Sequence, residues 1–281
     1  MSESTKKIYY RRGGVTYEIK TYTSTSDVGS EYIGLNIGGT TYYAKIGAVG
    51  DSNASYLRVQ KGGATKAILS TAMQAKFGTG CLLVNDHTKY VTVSTDSSLD
   101  ASGGIWCLEA WVYLTGNNGG NGFSIISDWV NDYPTRWIFD IYEGAIRMHT
   151  NSNAISFIAF RTVPFNTWHH VAISSDGTTA RIFFNGELQN SRASFGLPYN
   201  GQVYLAKQIV NTVTDSNRYY LDDVRYTVGT ARYTATFTPP TAPLDGSDAQ
   251  TKFLLHMDGS GTTLIDSSTY GRAITSTLPQ I

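Results

Sequence analysis

The residues that could do chemistry lie in a few short runs. Asp222-Asp223 and the run Asp128-Trp129-Val130-Asn131-Asp132 carry the densest hard-oxygen donors in the chain. Calcium gathers about six to eight such oxygens, so Asp222, Asp223, Asp128 and Asp132 are the candidate ligands for it, and no other cofactor is expected. His169-His170 invites a metal or nucleophile reading. Neighbours in a strand point to opposite faces, however, so the two cannot chelate one ion together, and a packing role is expected. Glu109 is the only acid in its strand, and Asp140 and Glu143 are three positions apart, on opposite sides of an extended chain. His87, His149 and His256 are isolated and receive no role. The sequence holds no Gly-x-Ser-x-Gly elbow, dinucleotide fingerprint or P-loop.

Binding is better supplied. Sugars are recognised by aromatic rings stacking on their CH faces beside amide and carboxylate hydrogen bonds. The stretch Ser127 to Tyr142 concentrates these types in Asp128, Trp129, Asn131, Asp132, Tyr133, Arg136 and Tyr142. The first six are the glycan-site candidates. Trp129 and Tyr133 share a Pro-containing loop, where they either face a ligand or tuck under the loop as rim packing. Asn117 to Asn121 and Asn190 to Asn200 read as further exposed loops, the usual seat of recognition on a rigid scaffold.

Composition narrows the scaffold. The 281 residues include 22 Lys plus Arg and 22 Asp plus Glu, a formal net charge of zero, with only 16% charged residues. Nucleic acid and anionic lipid call for a basic stripe, so neither is an expected partner. Specificity is expected to come from shape, stacking and neutral hydrogen bonds. No run approaches a membrane span, and Met1 to Arg12 lacks the apolar stretch of a secretory signal, so no membrane insertion and no Sec export are expected. Cys81 and Cys107 form no metal pattern; they either pair with each other or, the favoured reading, are buried free thiols.

The elements that must carry these residues are strands. Gly-Gly pairs at Gly13-Gly14, Gly38-Gly39 and Gly62-Gly63 recur at steps of 25 and 24 residues, each between strand-forming segments. Gly-Gly supplies the positive φ angles of a tight hairpin turn, so residues 1–70 read as a repeat of three β-hairpins. Such a thin module suits attachment or oligomerisation. From about Thr71 the strands lengthen. Ile105 to Leu114 reads as a buried strand, Arg136 to Tyr142 alternates with Trp137, Phe139 and Ile141 on one face, and Trp168 to Ile173 is another strand. Ala180 to Phe184 enters Asn185-Gly186, the strongest short hairpin signal. The predicted class is all-β, with the second domain, residues 71–281, an antiparallel sandwich or jelly roll.

Several phrases then fall in the order of a known family. Lys76-Phe77-Gly78-Thr79-Gly80 and Tyr90-Val91-Thr92-Val93 look like opening strands, and Leu108-Glu109-Ala110-Trp111-Val112 looks like a core strand. Trp168-His169-His170-Val171-Ala172 through Phe184-Asn185-Gly186-Glu187-Leu188 resembles a central hairpin. Tyr220-Leu221-Asp222-Asp223-Val224-Arg225, followed by Ala231 to Pro240, resembles a closing segment. Together, over roughly residues 71–245, they resemble the laminin G-like domains of the concanavalin A-like lectin/glucanase superfamily, in a form similar to bacteriophage and prophage proteins. The resemblance implies a concanavalin A-like jelly roll. It also implies calcium at the sandwich rim in some members, and a Glu-x-Asp-x-Glu strand in the glucanases, which this chain lacks. Leu254-Leu255-His256-Met257-Asp258-Gly259, common at the start of phage-type domains, stands here at the end, so 246–281 reads as a closing segment. It either pairs beside the first strand of the same chain, the favoured reading, or completes a neighbouring subunit.

What the resemblance implies is a non-catalytic virion protein of tail-fibre or receptor-binding type. Residues 1–70 would join it to other virion proteins, and the jelly roll would adhere to host cell-surface polysaccharide. It would work as a homo-oligomer, a trimer by analogy with tail fibres, and reach the virion by lysis rather than export. The rival readings are a capsid-decoration or baseplate structural protein without a ligand, and a carbohydrate-active enzyme.

Overall fold

The structure is a computed structural model that describes residues 8–12, 15–19, 21–22, 32–37, 40–45, 58–61, 64–67, 75–85, 88–116, 122–128, 136–150, 155–199, 201–207, 218–259, 261–278 and 280. The chain forms two compact units, Met1–Ile68 and Leu69–Ile281. In the first unit a strand flanks each Gly-Gly on either side. β1 (Ile8–Arg12) pairs with β2 (Val15–Ile19), and β3 (Thr21–Tyr22) and β4 (Tyr32–Ile37) both pair with β5 (Thr40–Lys45). β6 (Arg58–Lys61) pairs with β7 (Ala64–Ala67). The ladders close at Arg12↔Val15, Ile37↔Thr40 and Lys61↔Ala64, the registers that two-residue loops impose.

The second unit is a sandwich of two antiparallel sheets. Its strands in chain order are β8 (Leu82–Val84), β9 (Val91–Val93), β10 (Ile105–Leu114), β11 (Phe123–Ser127), β12 (Trp137–Tyr142), β13 (Ala145–Thr150) and β14 (Ile155–Thr162). They continue with β15 (Trp168–Asp176), β16 (Thr179–Phe184), β17 (Glu187–Ala193), β18 (Val203–Leu205), β19 (Tyr219–Val228), β20 (Thr251–Leu255) and β21 (Ile274–Ser276). The first sheet runs β17–β16–β15–β10–β19–β20, with β8 also on β19; the second runs β14–β13–β12–β11–β18–β9–β21. This is the all-β jelly roll the sequence predicts.

Alternation builds the core. Trp106, Leu108, Ala110, Val112 and Leu114 of β10 face Phe139 and Ile141 of β12, with Tyr219, Leu221 and Tyr226 of β19 in the same cluster. The polar ends of the large rings are satisfied: Trp106 Nε1 donates to Phe195 O at 2.9 Å, and the Tyr226 hydroxyl donates to Leu99 O at 3.0 Å. The other face of β10 is covered as well. Tyr233 and Phe237, stacked at 3.6 Å, lie against Phe183, and Phe237 N donates to Gly186 O. Asn185 and Gly186 carry φ of 48° and 77°, the mirror-image turn that an Asn-Gly hairpin requires.

The C-terminal segment closes both sheets within the same chain. β8 pairs with Tyr219–Leu221 and β20 with Val224–Thr227, so the two share the side of β19 opposite β10. β21 then pairs with β9 in the second sheet. Arg272 ties the segment down by donating to Asp96, Ser98 and Ser94 O. Two local expectations differ. Lys76–Gly80 is a turn, because the Asp222 carboxylate takes the Lys76 and Phe77 N–H groups that a ladder would have used. Asn190–Ala193 is the end of β17 rather than a loop, paired with β16.

Candidate functional site

The acids that invite catalysis are engaged in the fold. Glu109 is buried on the face of β10 turned away from the core, and its register partner on β19 is Arg225. Its carboxylate accepts from Arg225, from the Tyr233 hydroxyl at 2.7 Å, and meets His170 Nε2 at 3.1 Å. Burial alone would raise its pKa. The His170 hydrogen bond, the guanidinium and the Tyr233 hydroxyl overcome that and hold it down to about 2. His170 is thus a packed partner of Glu109, and His169 binds Asn185 through Nδ1 at 3.0 Å.

Asp222 and Asp223, the calcium candidates of β19, are both fully buried. Asp222 Oδ2 accepts from Lys76 N at 2.8 Å and Phe77 N at 3.0 Å, while Oδ1 accepts from Asp223 N at 2.8 Å. Asp223 Oδ2 accepts from Leu244 N at 2.8 Å, and its Oδ1 pairs with His256 Nδ1. A cation here would have to displace donors from all four oxygens. Among the described residues no group of three or more His, Cys, Asp or Glu side chains is arranged to hold a metal ion. His256, which the sequence left without a role, is the partner of Asp223, and that pairing raises its pKa. Burial pushes Asp222 up to about 7 against the three N–H donors.

Of the glycan candidates, Trp129, Asn131, Asp132 and Tyr133 lie outside the described residues. Asp128 is buried, and its Oδ1 accepts from Trp137 N at 2.6 Å, which fastens the base of the loop to β12. Arg136 sits half-buried just before β12. The structure thus brings Asp128 and Arg136 to the start of one strand of the second sheet. It directs attention to the outer face of that sheet.

On that face Ser124, Asp140, Arg147 and Ile158 form one row across four strands, by the registers Ser124↔Asp140, Asp140↔Arg147 and Arg147↔Ile158. Arg147 grips Asp140 through two nitrogens, with Nε at 2.9 Å, and lays its guanidinium 3.8 Å from the Tyr142 ring centre. Burial raises Asp140 to about 6, with the Arg147 contacts opposing it. The Ser124 and Ser127 hydroxyls are buried with no hydrogen-bond partner among the described residues. At the edge, the register between β13 and β14 slips between Ala145 and Arg147. Phe160 stands in that irregular stretch and is 80% exposed.

An exposed phenyl ring on a sheet face that also carries a guanidinium and a phenol offers what a sugar needs: a flat apolar face and fixed polar groups. Phe160 was missed because an aromatic in a strand reads as core. The signal was present, since Phe157 and Ala159 point inward and alternation sends Ile158 and Phe160 out. A second aromatic row, Trp168–Tyr113–Tyr220, crosses the outer face of the first sheet with ring centres 5.7 and 5.8 Å apart. Its neighbouring row, His170–Trp111–Asp222, is buried, which leaves it fewer polar groups to offer.

A family model described as the concanavalin A-like lectin/glucanases superfamily matches residues 85–227. No curated protein matches the sequence. Among solved structures, a candidate carbohydrate binding protein from Bacteroides ovatus is similar with a TM-score of 0.56 and 16% identity, covering 72% of this chain. The chain covers 59% of that protein's length. The binding domain of Paraclostridial Mosquitocidal Protein 1 gives a TM-score of 0.43 at 15% identity, over 63% of this chain and 49% of that one. A carbohydrate binding module from Bacillus subtilis gives 0.29 at 10% identity, over 43% and 73%. The first of these likenesses speaks for the fold; the other two superpose too loosely to carry an argument.

Proposed function

Because the chain belongs to the concanavalin A-like lectin/glucanase superfamily, we propose that it is a non-catalytic glycan-binding protein whose jelly roll presents the outer face of its second sheet to a polysaccharide. The observation that carries this reading is Phe160, an exposed ring at the edge of a sheet face furnished with Tyr142, Arg147 and Asp140. The similar Bacteroides ovatus structure, described as that of a candidate carbohydrate binding protein, agrees with it. So does the state of the acids. A retaining glycosidase needs two carboxyl groups roughly 5–5.5 Å apart flanking the substrate, whereas Glu109 is locked to Arg225 and Asp140 to Arg147.

The finer reading is a virion adhesin of tail-fibre or receptor-binding type, with residues 1–70 as its attachment or oligomerising module. Its support is the closing segment Ala231 to Pro240, which resembles phage and prophage proteins, and the hairpin pairs of the N-terminal unit. Glycan-array binding tests the function: the oligomer is expected to retain a defined set of polysaccharides. Failure to bind any at high valency favours a purely structural virion part. Light scattering tests assembly, with a mass several times 30.7 kDa expected and a clean monomer counting against it.

A further inference from the structure

We infer that Lys207, seated over Tyr204 and Tyr90 on the outer face of the second sheet, forms a subsite for the oxyanion of an acidic sugar. This rests on the glycan-binding reading and adds to it the charge of the ligand.

The backbone sets the lysine in place. β18 ends at Leu205, and Ala206 then takes φ of 61°, a left-handed conformation that a non-glycine residue rarely adopts. Ala206 is fully buried, and its N–H donates to Ile125 O at 3.2 Å, so the reversal is anchored. Unfavourable backbone held this firmly concentrates at ligand sites. Beyond the reversal the Lys207 ammonium lies 3.7 Å from the centre of the Tyr204 ring and 5.1 Å from that of Tyr90. The two rings meet edge to face at 5.3 Å.

Charge sets this lysine apart from the paired arginines, a trait it shares with Lys76, Arg192 and Lys252, which also rest on aromatic rings without a carboxylate partner among the described residues. Arg147, Arg161, Arg181, Arg225, Arg232 and Arg272 each pair with a carboxylate. Lys207 has no carboxylate partner among the described residues, although it is half-buried. Burial lowers its pKa, as befits an ammonium short of counter-charge. The π faces hold the cation without neutralising it, and an ammonium has three donors to direct. The surroundings suit a sugar. Thr92, half-buried, and Ser127 are the register partners of Tyr204 on its two sides. β18 and β14 are four strand spacings apart, roughly 19 Å at about 4.8 Å each, so Lys207 and Phe160 mark two ends of one face. A chain of zero net charge can therefore still select an anion locally.

The test uses matched polymers and the full chain. Polygalacturonate, alginate and hyaluronan are each compared with their carboxyl-reduced forms, and dextran sulfate with dextran, by calorimetry or affinity electrophoresis. Wild type is expected to bind an acidic member about tenfold more tightly than its neutral counterpart, with the difference shrinking in high salt. The carboxylate and sulfate arms tell which oxyanion is taken. Lys207→Gln is expected to erase the difference while keeping the neutral affinity and the melting temperature, and Lys207→Arg to keep it. Equal binding of acidic and neutral partners by wild type, or selectivity that survives in Lys207→Gln, overturns the inference and leaves the glycan reading standing. Binding of none of the polymers overturns both.

Discussion

Arg225 donates to a single oxygen of Glu109, from Nε at 2.9 Å and Nη2 at 2.6 Å, across the two central strands of the first sheet. Both side chains are buried, and Tyr233 closes over them from the segment that follows β19. The ion pair therefore fastens the closing segment to the sheet. Removing one member leaves the other charged and unpaired.

Glu109→Gln is accordingly expected to cost about 3–5 kcal/mol in urea unfolding, because Arg225 stays buried without its counter-charge. Acid should reveal the same pair. Glu109 is held near 2 when folded against an ordinary value of 4.5, so its contribution is complete above pH 4.5 and is lost as pH falls through 2. A variant as stable as wild type, with an unchanged acid limb, would sink this account.

On the alkaline side the signs reverse. Asp222 is raised from 3.8 to about 7 and Asp140 to about 6, so each binds its proton more tightly folded than unfolded. Their contribution is complete below pH 3.8 and is lost as pH rises through 6 to 7. His256, raised by Asp223, acts in the same direction, losing its contribution above 6.5. Unfolding midpoints are expected to decline from mildly acidic to mildly alkaline buffer, by on the order of 2 kcal/mol in stability, and to decline less in Asp222→Asn. A wild-type midpoint that rises over this range contradicts it.

Gly186 does two jobs in the hairpin between β16 and β17. Its φ is 77°, and a Cβ there would sit 1.9 Å from Phe237 O. Gly186→Ala should therefore both strain the turn and push away the closing segment, at a cost of about 3 kcal/mol or more. Gly229 has a similar φ of 88° with open space around it, so Gly229→Ala should lose only the strain, about 1 kcal/mol. Thermal denaturation of the pair separates the two effects, and equal losses would remove the close approach from the explanation.

Phe160→Ala should leave stability within about 0.5 kcal/mol, since the ring contributes little to packing at 80% exposure. Polysaccharide affinity should fall about tenfold, the worth of one stacked ring at about 1.4 kcal/mol. Unchanged affinity would move the site to Trp168, Tyr113 and Tyr220, whose Ala variants are the natural next comparison.

Whatever local rules govern was legible in the residues alone. Alternation along Ile105 to Leu114 and Arg136 to Tyr142 assigned the side chains that enter the core, and Asn185-Gly186 specified a hairpin, because both effects act between residues close in the chain. The packing role of His169 and His170 was legible for the same reason, since adjacent strand residues face opposite ways. What these groups touch emerged only once the sheets were assembled. Glu109 meets partners 61, 116 and 124 positions away, Asp223 finds His256, and β20 comes back to the edge of β19. Alternation assigned Phe160 to the outer face, but that nothing covers it there, and that Lys207 settles on Tyr204, came only with the assembled sheet, since alternation assigns a face but not what covers it. Long-range pairing depends on the packing of whole sheets, and no window of sequence contains it.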